Sequence, residues 1–201
     1  MATYKLSYFD VPGVAEPIRF LFHYGGIQFE DNRINKLNWS DLKQTFPFGQ
    51  VPVLEHNGKV INQSRAISRY VAKLVNLTGN DDWENLEIDS IVDTFEDLRD
   101  HFRKYTFETN PEKKMELKKK LDDEILPFYL TRIEEQIKNN GGFLVGGHLT
   151  WADLFVVAHI DSFIQKYEQD VTIGRPNLKK LKEHVLSLDN IKEYISQRPK
   201  F

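Results

Sequence analysis

Cysteine is absent from the 201 residues. Its absence excludes disulfides, thiolate metal sites and every mechanism in which the protein supplies its own thiol. A basic excess is missing too: 27 Lys and Arg stand against 30 Asp and Glu, for a net charge of −3. Neither nucleic acid nor an anionic membrane is therefore an expected partner. The opening Met1-Ala2-Thr3-Tyr4-Lys5-Leu6 lacks the apolar run of a signal peptide, and no stretch reaches the roughly 18 apolar residues of a membrane span. A cytoplasmic location is the expectation. The histidines, His23, His56, His101, His148, His159 and His184, show no HExxH pairing, so no metal is expected. Gly25-Gly26 and Gly141-Gly142 have neither of the phosphate-cradling spacings, GxxxxGKS/T and GxGxxG, and read as turn and helix-stop signals.

What is present is enough apolar matter for a core, 40% of the chain with 12% aromatic, in one large domain or two small ones. Tyr4 to Phe9 alternates as a strand, and Ala15 to Tyr24 carries Ile18, Leu21 and Phe22 at helical spacing. Phe29 to Ile34 reads as a second strand. Val51 to Leu54 and Lys59 to Ile61 flank His56-Asn57-Gly58, a hairpin signal. Ser64 can cap a helix running to about Val75, with Ile67, Val71 and Leu74 on one face. The order is βαβ, a loop, then ββα.

Beyond Leu77-Thr-Gly-Asn-Asp81 the pattern is helical. Ile88, Ile91, Val92, Phe95, Leu98 and Phe102 form one stripe. A second long helix after Pro111 places Leu117, Leu121, Ile125, Phe128, Ile133 and Ile137 inward, with a kink expected at Pro127 and a stop at Asn139-Asn-Gly-Gly142. Thr150-Trp-Ala-Asp153 is a helix start in which Asp153 is a structural partner of Thr150. Shorter helices around 178–188 and 191–195 close the chain. The domains expected are 1–77 and 81–201.

Tyr8, Trp39, Phe48-Gly-Gln-Val-Pro-Val-Leu54, Gln63-Ser64 and Leu149-Thr-Trp-Ala-Asp153, in this order and spacing, resemble the sigma class of cytosolic glutathione transferases. The similarity runs from Tyr4-Lys-Leu through Ile91-Val-Asp-Thr94 to Arg198-Pro199. The class is also similar in sequence to glutathione-dependent prostaglandin D synthase. The resemblance implies an α/β thioredoxin-like first domain (βαβ-ββα), an all-α second domain and a two-fold homodimer. It further implies glutathione as co-substrate, conjugated to small hydrophobic electrophiles in detoxification, with reduction of lipid hydroperoxides as an added activity.

The thiolate, and not the thiol, is the nucleophile, and a free thiol near pKa 8.5 is about a few per cent ionised at pH 7. By pattern alone Tyr8 is a buried strand tyrosine. The resemblance makes its phenol the donor that favours the sulfur anion, as the catalytic residue. Strand alternation sends Ser7, the rival hydroxyl, to the opposite face. For glutathione itself, Ser64 at a helix start suits the γ-glutamyl carboxylate, with Gln63 beside it, and a plain N-cap role for Ser64 coexists with that. Trp39 and Lys43 resemble the family's clamp on the glycine carboxylate, although Trp39 serves equally as core. Gln50 and Val51 resemble the loop that pairs with the cysteinyl peptide, with Pro52 expected cis.

Asp89, Asp93, Glu96, Asp97 and Asp100 make an acidic helical face, and Arg65, Arg69 and Lys73 a basic one. The two either stay solvated or meet across a dimer axis. The family implies that Asp97 reaches the γ-glutamyl amine held by the other subunit, and that in related enzymes the acidic cluster can hold a divalent cation. The electrophile pocket is expected between Phe9 and Val14 on one side and Arg99, Phe102, Tyr105, Phe155 and His159 on the other; its aromatic members would equally serve as core. Close relatives often carry arginine at position 14, so Val14 removes one helper for the thiolate. Two other readings are a glutathione-dependent prostaglandin isomerase and a non-catalytic, crystallin-like binding protein. Damage to the glutathione residues would favour the latter, and those residues are intact.

Overall fold

The computed structural model describes residues 4–167 and 169–199, apart from the side chains of Gln165 and Lys166. Tyr4–Phe9 forms β1, Glu16–Tyr24 α1 and Glu30–Ile34 β2, followed by Val53–His56 as β3, Lys59–Asn62 as β4 and Ser64–Leu74 as α3. The connection between β2 and β3 carries one short helix, α2, Trp39–Leu42. The sheet order is β2-β1-β3-β4, with β1 parallel to β2 and the other pairings antiparallel. Parallel pairing of β1 and β2 requires a crossover, which α1 supplies. The Asn57-Gly58 turn, with both residues at positive φ, joins β3 to β4 as the sequence implies.

α1 packs against α3 and also against α7 (Trp151–Tyr167), so it lies between the sheet and the helical half. Seven consecutive residues, Glu16 to Phe22, are consequently buried. Two of them are charged, and burial of a charge demands a partner. Glu16 and Arg19 pair at 3.2 Å, Arg198 reaches Glu16 at 2.7 Å, and the Tyr194 hydroxyl donates to Glu16 at 3.0 Å. Arg19 is completed by Asp31 on β2 at 3.1 Å.

The helical half comprises α4 (Asp82–Phe107), α5 (Pro111–Lys120), α6 (Leu126–Asn139), α7, α8 (Pro176–Ser187) and α9 (Asp189–Gln197). The Asp81 carboxylate accepts from the Glu84 N–H at 2.8 Å and caps α4. On α4 the buried residues are the six read from the sequence, Ile88 through Phe102. Each contributes about 1.5–3 kcal/mol relative to an exposed position.

The segment after Pro111 differs from its sequence reading. It is helical without interruption from Pro111 to Asn139, but a π-helical turn over Leu121–Ile125 lies between α5 and α6. The extra residue in that turn shifts the buried face, which now runs Leu121, Leu126, Leu130, Ile133 and Ile137. Phe128, expected inside, is 52% exposed as a result. A second difference concerns the charged helical faces. Arg65 pairs with Asp93, and Arg69 with Asp89 at 2.8 Å, all within one chain. Part of the basic face of α3 therefore meets part of the acidic face of α4 within the chain.

Candidate active site

The sheet and the helical half leave a cavity of about 910 Å³ between them. Tyr8, Phe9, Gly13 and Val14 border it on one side, and Glu96, Arg99, Phe102, Tyr105 and His159 on the other. Tyr8 stands at the end of β1, where the chain leaves the sheet. Ser7 points the other way and is buried, accepting a hydrogen bond from Asn32 at 2.9 Å. The alternation argument against Ser7 therefore holds.

The Val14 N–H approaches the Tyr8 hydroxyl oxygen at 3.4 Å. Burial raises the Tyr8 pKa, opposed by that N–H and by the positive charges of Arg99 and Arg19. The net direction is upward, so the phenol keeps its proton at neutral pH and acts as a donor. Arg19, unremarked in the sequence, holds this corner together. Its guanidinium lies 6.0 Å from the Tyr8 ring centroid and donates to the Val11 and Pro12 carbonyls at 2.9 and 3.3 Å. Its i, i+3 spacing from Glu16 was the available signal.

Gly13, at φ +47°, is a second residue the sequence did not single out. A Cβ there would stand 2.5 Å from the Tyr8 hydroxyl, a distance that real contacts do not reach. Gly13→Ala is therefore expected to displace the Tyr8 hydroxyl and to cost roughly 1–3 kcal/mol of stability. Thermal unfolding together with kcat/KM would check it; activity should fall more than a stability loss of that size explains.

Gln50, Val51, Gln63 and Ser64 also border the cavity. The Val51–Pro52 bond is cis, as expected. Gln63 stands at φ +79° immediately before α3 and makes no side-chain cap bond, so the first N–H groups of α3 lack a side-chain cap. Such a helix start suits a carboxylate. Asp97 borders the same cavity from α4, alongside Asp100. Trp39 and Lys43 do not line it. Trp39 packs edge-on against Phe9 with centroids 5.0 Å apart, and the Lys43 stem lies against Gly49. They share one helical turn, in which the Lys43 N–H donates to the Trp39 carbonyl at the end of α2, before a 3-10 turn over Lys43–Thr45.

The placement of Phe155 needs correction. It is 1% exposed and absent from the cavity wall, packed edge-on against Trp151 and His159 at 6.0 and 4.6 Å. Eight residues preceding and following it on α7, Ala152 to Ile160, are equally buried. A helix buried on all sides gives no periodic signal of which face meets a cavity. Ser162 and Phe163, two turns on, border it instead, together with Tyr167. No group of three or more metal-ligating side chains occurs among the described residues.

Comparison with known proteins places this geometry. The family "Glutathione S-transferase, N-terminal domain" matches residues 4–73, and "Glutathione S-transferase, C-terminal domain" matches residues 96–198. A glutathione S-transferase of Anopheles gambiae is 42% identical over 99% of this chain and 98% of its own length. Human hematopoietic prostaglandin D synthase is 34% identical over 99% of this chain and 98% of its own. The solved structure of prostaglandin synthase D of Nilaparvata lugens superposes with a TM-score of 0.95 at 40% identity, covering 99% of this chain and 100% of that one.

Proposed function

This chain belongs to the glutathione S-transferase family, and from that premise we propose that it is a sigma-class enzyme whose Tyr8 hydroxyl holds bound glutathione as thiolate. Glutathione is its co-substrate. The observation that carries the reading is a protonated, half-buried Tyr8 bordering the same cavity as the uncapped start of α3. A tripeptide with a carboxylate at each end and a thiol between spans those features. Its γ-glutamyl carboxylate lies at Gln63 and Ser64, its cysteinyl peptide pairs with Val51 beside Gln50, and its glycine end reaches past the cavity wall toward Trp39 and Lys43. The sulfur then faces Tyr8.

Thiol ionisation releases a proton to solvent, and the Tyr8 O–H donates to the sulfur anion. Each unit by which this lowers the thiol pKa represents about 1.4 kcal/mol. The electrophile enters between Phe9 and Val14 on one side and Arg99, Phe102 and Tyr105 on the other. Val14 offers its backbone N–H to the Tyr8 oxygen, but no side-chain charge. Arg99 and Arg19 are the nearby cations that act on Tyr8.

The boundary between the two domains falls over residues 77–81, and the working form is a cytoplasmic homodimer in which the partner's Asp97 binds the γ-glutamyl amine. A conjugation assay with 1-chloro-2,4-dinitrobenzene, paired with calorimetric titration of glutathione, tests the proposal. Wild type is expected to conjugate, and Ser64→Ala to weaken glutathione binding about tenfold. Unchanged affinity in the variant would refute the placement of the γ-glutamyl end. A second reading, isomerisation of a prostaglandin endoperoxide, is favoured by the likeness to the two prostaglandin D synthases; turnover of the endoperoxide substrate decides it.

A further inference from the structure

His159 is the polar group in the cavity wall that no contact accounts for. Its ring is pinned on three sides, parallel to Phe95 and Phe163 at 6.1 and 6.2 Å and edge-on to Phe155 at 4.6 Å. Its Nε2 is buried and has no hydrogen-bond partner. Such atoms are uncommon in folded proteins, because an unmade hydrogen bond in a dry site costs about 1–3 kcal/mol.

The nearest acceptor is Glu96, whose Oε1 lies 3.6 Å from Nε2, beyond hydrogen-bond reach. Arg99 explains the gap. One of its guanidinium nitrogens takes both Glu96 oxygens, at 2.7 and 2.9 Å, and holds the carboxylate off the imidazole. The neutral ring carries one proton, and the Nε2–H tautomer is the one that turns it toward the Glu96 carboxylate. Burial and the nearby Arg99 charge push the His159 pKa well below its ordinary value, so the ring is neutral at working pH. A neutral imidazole aimed at a reaction site polarises a carbonyl without carrying a charge of its own.

We propose that His159 is a further catalytic residue, its Nε2–H donating a hydrogen bond to the carbonyl oxygen of α,β-unsaturated carbonyl electrophiles. This rests on the transferase reading and names a substrate class for the same cavity. The entering oxygen reaches the buried Nε2 by displacing the Glu96 carboxylate that now borders it. In the addition, the thiolate sulfur forms a bond to the β-carbon and the carbon–carbon π pair shifts, leaving an enolate. Negative charge accumulates on the oxygen that His159 faces, and a donor aimed there stabilises the transition state more than the ground state. The α-carbon then takes a proton from water, balancing the proton that the thiol released. Thiol plus enone gives thioether, with no other reactant.

The test compares two electrophiles on one set of variants: trans-4-phenyl-3-buten-2-one, which carries the carbonyl, and benzyl chloride, which carries no oxygen. His159→Phe keeps an aromatic ring against Phe95 and Phe163 and removes the N–H. It is expected to lower kcat/KM for the enone about 10²-fold, while kcat/KM for benzyl chloride and the pKa of the bound thiol stay at wild-type values. His159→Gln, whose amide nitrogen reaches the position of Nε2, should restore part of the enone rate; should the Phe variant not fold, the Gln variant is compared with His159→Leu. Equal losses on both electrophiles, or none on the enone, would overturn the proposal. If wild type turned over neither electrophile, the transferase reading itself would fail instead.

Discussion

Replacing Tyr8 with phenylalanine is expected to lower kcat/KM for conjugation at pH 7 by about 10²-fold, the usual cost of removing one donor aimed at a developing or resident anion. The substitution removes a single oxygen. The ring still fills its place beside Phe9 and over Gly13, so stability should change little. What is lost is preferential binding of the thiolate, and the pH–rate profile must register it. The pKa governing kcat/KM should climb toward that of free thiol, so the deficit should shrink as pH rises and solvent ionises the sulfur unaided. A uniform deficit at every pH would mean that Tyr8 orients glutathione and does not tune it. Because position 14 supplies no side-chain charge, this protein should depend on the hydroxyl heavily.

Asp153→Ala is expected to cost about 3–5 kcal/mol of folding stability, enough to matter against a total of roughly 5–15. The side chain is fully buried at the start of α7. One carboxylate oxygen accepts from the Leu144 N–H at 2.8 Å; the other accepts from the Thr150 N–H at 2.7 Å and the Thr150 hydroxyl at 3.1 Å. Alanine would leave two backbone donors buried without acceptors. Asparagine has one acceptor oxygen in place of two and should lose about half as much. Urea denaturation of the three proteins checks the order.

The same site carries a pH signature. Burial raises the Asp153 pKa to about 6 against the pull of its donors. The folded carboxyl thus binds its proton near pH 6, and the unfolded one near the ordinary 3.8. This group therefore favours the folded state most below pH 3.8, and that preference is lost as pH rises to about 6. The stability difference between wild type and Asp153→Asn should shrink from pH 4 to pH 6 and level off above. A difference that instead grew over this range would mean that the donors outweigh burial.

Elements with one wet face were legible in the sequence because their periodicity is a record of that face. The α4 stripe matches residue for residue, and β1, the β3–β4 hairpin and α3 fall within a residue or two of their sequence bounds. Glutathione-side residues were named by resemblance; Gln50, Val51, Gln63 and Ser64 border one cavity with Tyr8, whereas Trp39 and Lys43 do not, and the Asp97 that borders it belongs to the same chain and not to a partner. Three features were not legible. A single extra residue in the Leu121–Ile125 turn rotates everything beyond it, and nothing in local composition marks that turn. The ionic faces of α3 and α4 carry the same pattern whether they meet within a chain or between chains. Phe155 and Ser162 look alike on a helix buried all round.

The sequence by itself determined the chemistry available to this protein. Without cysteine it supplies no thiol of its own, and by its resemblance to glutathione transferases Tyr8 at a strand end and Ser64 at a helix start are the residues proposed to hold one. Only the tertiary structure decided how those residues are set: Arg19 bracing the loop beneath Tyr8, Gly13 leaving room for its hydroxyl, and His159 standing with an unpartnered Nε2 in the opposite wall. The reason is physical. Residue type and local period are written in neighbours along the chain, whereas burial, partnership and electrostatic environment arise between β1, α1, α4 and α7, which are distant in sequence and meet only in the folded state.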